Sequence, residues 1–316
     1  MFEIIFLGTS ASAPSVHRGL PAQAILAGEH RFLIDCGEGT QRQILRSGIG
    51  FKRLNRILLT HGHLDHILGL GGLVSTYAQW ENIDELEIFG STTALHRVQK
   101  LLFGVVINFD QVPMDIHLID LKPGTIMTAR EFTVSAFPVT HRGGGSFGYI
   151  FQENSHFPFL VDKAEELGVP EGPERGKLVK GEAITLADGR VITPDRVLGA
   201  EEPGVKLVYI GDVGRTDNIH EYVASADVLV IEATFMDEEA DVARQVGHIT
   251  AKQAATLASE SGVKALILTH VSRRYRERDI RAEAQAVFPD AIIARDLDHF
   301  VTRRNRPIQK MKPVNY

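Results

Sequence analysis

Three imidazoles and a carboxylate fall within six residues in Thr60-His61-Gly62-His63-Leu64-Asp65-His66. The segment follows the strand-like run Arg56-Ile57-Leu58-Leu59 and precedes a helix-like run from Ile67, so a strand-to-helix turn gathers these side chains into a small volume. Zinc, a borderline-soft cation, takes imidazole nitrogen and carboxylate oxygen readily. The competing reading, a set of capping and surface histidines, fits so dense an H-x-H-x-D-H spacing poorly. Single metal-competent residues stand just past later apolar runs: His141 after 132–139, Asp212 after 207–211 and His270 after 266–269. Loops past strand ends are where sheet folds present functional groups. Each of the three is weak alone, since a strand-end Asp is more often a helix cap. Together with the loop they make seven ligands. His61, His63 and His141 suit one zinc, Asp65, His66 and His270 a second, with Asp212 between them. Such a pair suits activation of water for attack on an electrophilic centre.

The elements that must position these residues are short. Apolar runs bounded by Gly, Asp and Asn read as strands at 3–7, 23–27, 31–34, 56–60 and 85–89, and again at 131–137, 147–151, 206–210, 228–232 and 265–269. Helical periodicity marks 39–47, 68–80, 92–102, 251–261 and 278–288. The first third is hairpin-like, with Gly28-Glu29 a turn, and later strands alternate with helices, so mixed sheets flanked by helices are expected. The stretch 161–203 breaks the pattern with Gly168-Val169-Pro170 and Gly172-Pro173 among charged residues, and reads as an inserted arm with too few apolar residues for a core. A long surface loop is the alternative. The basic tail after Thr302 is expected to fray.

With 44% hydrophobic and 23% charged residues in 316, the chain can bury a sizeable core and is read as one domain, 1–316, carrying the arm. The single cysteine, Cys36, excludes an internal disulfide framework. Glu3 lies where a signal peptide would carry positive charge, and no run reaches the length of a membrane span. A cytoplasmic protein with no membrane association is expected. A net charge of −6 argues against an all-over grip on nucleic acid while leaving room for local basic strips.

The H-x-H-x-D-H loop with its later His, Asp and His resembles the metallo-β-lactamase superfamily. Further motifs narrow this: Asp35-Cys36-Gly37-Glu38-Gly39-Thr40-Gln41, Ser146-Phe147-Gly148-Tyr149, Glu232-Ala233-Thr234-Phe235, Gly247-His248-Ile249-Thr250 and Thr269-His270-Val271-Ser272-Arg273-Arg274-Tyr275 resemble ribonuclease Z, in order and over nearly the whole chain. The resemblance implies an α/β (α+β) fold, a four-layered αββα sandwich with a protruding flexible arm. It also implies two zinc ions per subunit on the seven positions above, no organic cofactor, a homodimer, and precursor tRNA as substrate. Cleavage would free the 3′ trailer, leaving a tRNA 3′-hydroxyl and a trailer 5′-phosphate. It further implies a proton-acceptor role for Asp65.

Taken alone, Glu232 is a solvated strand-end charge and His248 a residue flanking a helix. Under the resemblance both become catalytic, His248 as the acid that protonates the leaving oxygen and Glu232 as the group that fixes its tautomer. The arm resembles the family's tRNA-gripping arm. Its Arg175, Lys177, Lys180, Arg190 and Arg196 face Glu174, Glu182, Asp188 and Asp195, a near-balance that makes it weakly basic. Arg273 and Arg274, beside His270, are better placed to meet RNA backbone near the metals. One departure is Gly19 in Pro14-Ser15-Val16-His17-Arg18-Gly19, where the family's loop carries Asn. His17, His30, His96, His117, His156, His220 and His299 lack the strand-end setting and read as ordinary residues.

Two rivals remain at this point. A small-molecule phosphodiesterase or thioesterase of the same fold would need no distant clamp. A non-catalytic RNA-binding module with structural zinc would be expected to use a cysteine-rich ligand set.

Overall fold

A strand buried on both faces must be apolar at consecutive positions, and Phe2–Gly8 (FEIIFLG) is such a strand. A computed structural model describes residues 1–80, 83–107 and 114–311. In chain order, β1 (Phe2–Gly8), β2 (Ala22–Ala27) and β3 (His30–Ile34) lead into α1 (Thr40–Ser47) and β4 (Arg56–Leu58). The short α2 (Leu64–Ile67) and longer α3 (Gly69–Trp80) precede β5 (Glu85–Gly90), α4 (Thr92–Leu101) and β6 (Asp115–Asp120). β7 (Gly124–Thr128), β8 (Phe132–Val139) and β9 (Ser146–Glu153) follow. Next come α5 (Val161–Glu166), α6 (Pro173–Val179), β10 (Ile184–Thr185) and β11 (Val191–Ile192). The chain then alternates through β12 (Lys206–Tyr209), α7 (His220–Val223), β13 (Val228–Glu232), α8 (Ala240–Val246) and α9 (Ala251–Glu260). It closes with β14 (Leu266–Thr269), α10 (Glu277–Gln285), β15 (Ile292–Ile293), β16 (His299–Thr302) and β17 (Gln309–Lys310).

Among the described residues these strands make two large sheets, ordered β17-β16-β1-β2-β3-β4-β5-β6 and β15-β14-β13-β12-β9-β8-β7. The first is antiparallel through β1, β2 and β3 and parallel from β3 to β6. In the second, β12 to β15 run parallel and β9 is antiparallel to β12.

Alternation along each strand sorts the core into three layers. Phe2, Ile4 and Phe6 of β1 join Val228 and Val230 of β13 in the cluster between the sheets, where Phe32 and Phe151 meet edge to face at 5.3 Å. Ile5 and Leu7 point the other way, under Ile44 of α1, Leu73 of α3 and Val98 of α4. Leu229 and Ile231 pack beneath Ala254, Leu257 and Ile280 of α9 and α10. The result is a helix–sheet–sheet–helix sandwich. Among the described residues no helix is long and apolar enough to cross a membrane.

Two expectations need correcting. The stretch read as lacking a core belongs to a compact unit, Glu153–Gly204, which buries Ala164, Val169, Leu178, Ile184, Ile192 and Val197. Apolar residues scattered singly between Gly and Pro were enough for a small core because turns bring them together. Nor does the tail simply fray after Thr302, since Gln309–Lys310 pairs antiparallel with β16. Residues 312–316 of that tail lie outside the described residues.

Candidate active site

β4 ends at Leu58, and the next residues are held from both sheets. Leu59 N–H donates to the Phe89 carbonyl, Tyr149 Oη donates to the Leu59 carbonyl at 2.5 Å, and Phe147 N–H donates to the Thr60 carbonyl at 2.8 Å. The loop that follows carries His61, His63, Asp65 and His66. His141, Asp212 and His270 come to the same place from the loops after β8, β12 and β14.

The carboxylate of Asp212 sits between two clusters. Its Oδ2 lies 3.6 Å from both His61 Nε2 and His141 Nε2, and its Oδ1 lies 3.4 Å from His66 Nε2 and 3.2 Å from His270 Nε2. His63 Nδ1 completes the first cluster, 3.3 Å from His141 Nε2. Asp65 Oδ2 completes the second, 3.7 Å from both His66 and His270. Two groups, His61-His63-His141-Asp212 and Asp65-His66-His270, each gather their ligand atoms within 4.8 Å.

Whether the residues fit a metal can be read from unmet hydrogen bonds. His61 Nε2, His66 Nε2, His270 Nε2 and Asp212 Oδ1 are all buried and lack a hydrogen-bond partner among the described residues. Each such atom costs about 1–3 kcal/mol if left unsatisfied, so four facing one another call for a ligand. The opposite ring nitrogens are occupied. His66 Nδ1 meets Asp35 Oδ2 at 2.7 Å, His141 Nδ1 the Gly247 carbonyl at 2.6 Å, His270 Nδ1 Thr234 Oγ1 at 2.8 Å and His61 Nδ1 Thr60 Oγ1 at 3.0 Å. Partners at Nδ1 fix the tautomer and leave Nε2 to the centre, as metal-binding histidines require. The clusters therefore suit a divalent metal.

Charge states agree with this in part. Burial pushes His61, His63 and His141 below the ordinary histidine pKa, so they are neutral and can ligate. For His66 burial acts the same way, but Asp212 and Asp35 outweigh it and hold its pKa well above the usual value. Burial also works against the ionised form of Asp65, yet His270 and His66 hold its carboxyl well below the usual range.

Beside the clusters, the fully buried Glu232 at the end of β13 accepts Val213 N–H at 2.7 Å and lies 3.0 Å from His248 Nδ1. Burial would lower the His248 pKa, but Glu232, with Asp212 behind it, raises it to about 9. The histidine is held protonated at neutral pH.

His248 lines a cavity of about 560 Å³ with Phe235, Ser272, Arg273 and Arg274. Arg274 is committed within it, pairing with Glu239 at 2.5 Å and lying 5.8 Å over the Phe235 ring. Arg273 is exposed. In the unit Glu153–Gly204, Lys177 and Lys180 are exposed, whereas Arg175 turns inward to the Val169 carbonyl and the Phe159 ring.

Asp35 had no role in the sequence reading. It is fully buried, takes Thr60 N–H and Thr60 Oγ1–H at 2.7 Å each, and also meets His66. Its place in the Asp35–Gln41 motif at the end of β3 was the available signal. Gly247 is a second such residue. It caps α8 with φ +79, its carbonyl fixes His141, and a Cβ there would stand 2.5 Å from Arg142 Cγ.

Fold and site together define the class: a hydrolase of the metallo-β-lactamase superfamily. Residues 2–167 match the family model described as "Anti-Pycsar protein Apyc1" and residues 196–271 the one described as "Beta-lactamase superfamily domain". The metallo-β-lactamase-fold protein YhfI of Bacillus subtilis superposes with a TM-score of 0.66 at 19% identity, over 94% of this chain and 98% of that one. Human tRNase Z, short form, superposes with a TM-score of 0.62 at 26% identity, over 95% and 99%. Within that class the chain belongs to the ribonuclease Z family. It is 48% identical to the Ribonuclease Z of Bradyrhizobium diazoefficiens over 95% of this chain and 100% of that one, and 43% identical to that of Archaeoglobus fulgidus over 94% and 96%.

Proposed function

We propose that this chain removes the 3′ trailer from precursor tRNA by metal-dependent hydrolysis. Its ligands would be His61, His63 and His141 for one zinc, Asp65, His66 and His270 for a second, and Asp212 for both. The activity rests on family membership, at 48% identity over 95% of the chain. The observation that supports the site is the convergence of three unsatisfied buried histidine nitrogens on either side of the Asp212 carboxylate, whose own Oδ1 is unsatisfied too. When bound, the metals supply Lewis-acid stabilisation of a phosphoryl group and a water reactive near neutral pH.

The chain's own residues do the rest. Asp65, held ionised, accepts the proton of the attacking water. As the water oxygen bonds to phosphorus, the bond from phosphorus to the tRNA 3′-oxygen breaks and its electron pair leaves with that oxygen. His248, held protonated by Glu232, donates a proton there. The products are a tRNA 3′-hydroxyl and a trailer 5′-phosphate.

Arg273 neutralises RNA near the cut, with Arg274 beside it available only by leaving Glu239. Arg175, Lys177 and Lys180 belong to the tRNA-binding arm, where the exposure of the two lysines supports the reading and Arg175, turned inward, braces the unit. The enzyme works as a cytoplasmic homodimer with two zinc ions per subunit. Sedimentation and metal analysis test the last two.

Single-turnover cleavage of a precursor tRNA, mapped to the nucleotide, tests the function with wild type, His248→Ala and a deletion of 168–196 in parallel. Cleavage beside the discriminator base is expected, slowed at the chemical step without His248 and weakened in affinity without the arm. Intact precursor alongside rapid hydrolysis of bis-p-nitrophenyl phosphate would overturn the RNA assignment and favour a small-molecule phosphodiesterase.

A further inference from the structure

Two cavities meet at the ligand clusters, and His63 and Arg142 line both. The larger, about 560 Å³, contains His248. The smaller, about 280 Å³, contains His61, Thr93, His96, Arg97 and the Gly143-Gly144 backbone, and it does not include His248. Among the described residues no carboxylate lines either cavity. Arg97 and Arg142 line the smaller cavity and Arg142 and Arg273 the larger, a locally basic wall in a chain of net charge −6 that favours a polyanion passing from one cavity to the other.

The direction of passage follows from His248. If His248 protonates the departing 3′-oxygen, the tRNA's own end lies in the larger cavity. The phosphorus-bearing fragment must then continue past Arg142 into the smaller one. We infer that the 280 Å³ cavity is a trailer subsite, binding the single-stranded RNA that begins at the 5′-phosphate released by cleavage. The inference rests on the reading of His248 as the leaving-group acid of tRNA 3′-end cleavage.

The walls suit that ligand. The Arg142 stem lies against Gly247, close enough that a Cβ on Gly247 would meet its Cγ at 2.5 Å, and its guanidinium has no ion pair among the described residues. Arg97 spends one N–H on the Gly62 carbonyl at 2.8 Å and keeps further donors for a phosphate. His96 is exposed on the same helix, α4. Gly143 and Gly144 have φ of +88 and +70, with open space where a Cβ would stand, so backbone rather than side chain forms that wall. A ribose-phosphate chain can approach it closely.

The test uses the full-length, metal-loaded enzyme and a 5′-phosphorylated pentanucleotide of trailer sequence as competitor against precursor tRNA. For His96→Ala and Arg97→Ala, the inhibition constant of the pentanucleotide should rise about threefold and about tenfold, in the range expected for losing one solvent-exposed hydrogen bond. Affinity for mature tRNA, which has no trailer, should stay within about twofold of wild type in both variants, while the 5′-hydroxyl pentanucleotide should inhibit wild type more weakly than the phosphorylated one. Metal content is measured on each variant. Among the described residues His96 makes no hydrogen bond or ion pair to the ligand loop, so its result stands even if Arg97→Ala loosens that loop. Unchanged inhibition in both variants, or a loss confined to mature tRNA, overturns the subsite while wild-type cleavage leaves the enzyme's function intact. A wild type that binds the pentanucleotide but never cuts precursor tRNA sinks the functional reading and this proposal with it.

Discussion

Asp35 serves both clusters from outside. One oxygen takes the Thr60 amide, while the other takes the Thr60 hydroxyl and faces His66 Nδ1, and Thr60 in turn meets His61. In Asp35→Asn, an amide turned so that its oxygen still serves the Thr60 N–H would face the His66 N–H with a second donor. We expect zinc affinity to fall about 10- to 100-fold, the usual cost of losing such a partner, read by competition with a chromophoric chelator. An unchanged affinity would remove the role given to Asp35. In the proposed mechanism Glu232 acts on a proton instead. His248 donates only when protonated, so activity should be lost as pH rises through its pKa of about 9. Glu232→Gln removes the largest raising influence, and the basic limb of the pH–rate profile should move at least one unit toward 6.5, the ordinary value. At pH 8 a limb moved by one unit roughly halves the rate, and one moved all the way to 6.5 cuts it about thirtyfold. A limb that stays in place would show that Glu232 does not set the His248 proton. The seven side chains of the two clusters were legible because four lie within six residues and three stand just past apolar runs. Asp35, Thr60 and Thr234 were not, because their contribution lies in hydrogen bonds that span 25 to 36 residues of chain.

Strand legibility followed burial at the level of elements. β1 and β13 are buried nearly throughout and stand out as continuous apolar runs. The sheet edges, β6, β17, β7 and β15, all went unread, along with β16 beside β17. β6 is DIHLID with both ends exposed, β7 is half solvated, and β15 and β17 are two residues long. An edge strand with one free side needs no apolar run, so none was there to find. Helices of eight residues or more were legible because they carry a full apolar stripe, while the shorter α2, α5, α6, α7 and α8 went unread. α9, for example, buries Ala251, Ala254, Ala255 and Ala258, and its start is fixed by the Thr250–Gln253 capping box. The small core of 153–204 offers an element-scale prediction. Leu178 is fully buried there among five other apolar residues. Leu178→Ala should cost this unit about 2–5 kcal/mol, more than so small a core can spare. We expect faster proteolytic cleavage within 153–204, a raised KM for precursor tRNA, and unaltered turnover of bis-p-nitrophenyl phosphate. Equal loss on both substrates would mean that this unit supports the active site rather than binding tRNA.

The candidate metal centre draws its residues from both large sheets. His61, His63, Asp65 and His66 follow β4 of one sheet, and His141, Asp212 and His270 follow β8, β12 and β14 of the other. The aromatic cluster between the sheets is non-directional and tolerates small slips. Metal ligation is directional, so a bound metal would fix the register of the strand-end loops of one sheet against those of the other. Without a metal, the four unsatisfied atoms at this junction oppose the packing that brings them together. Zinc bound only by the folded state should therefore stabilise it by about 4 kcal/mol at a thousandfold excess over its dissociation constant. In a chain of this size, that corresponds to a rise in Tm on the order of ten degrees. Calorimetry after chelation, with and without zinc restored, measures it. His270→Ala removes a ligand from the second sheet while leaving the four-ligand loop of the first intact, and should retain only a small part of the zinc-dependent rise. If His270→Ala kept the full rise, the metal would be held by one sheet alone. If wild type melted at the same temperature with and without zinc, the junction would owe its stability to packing, and the unsatisfied atoms would need another partner.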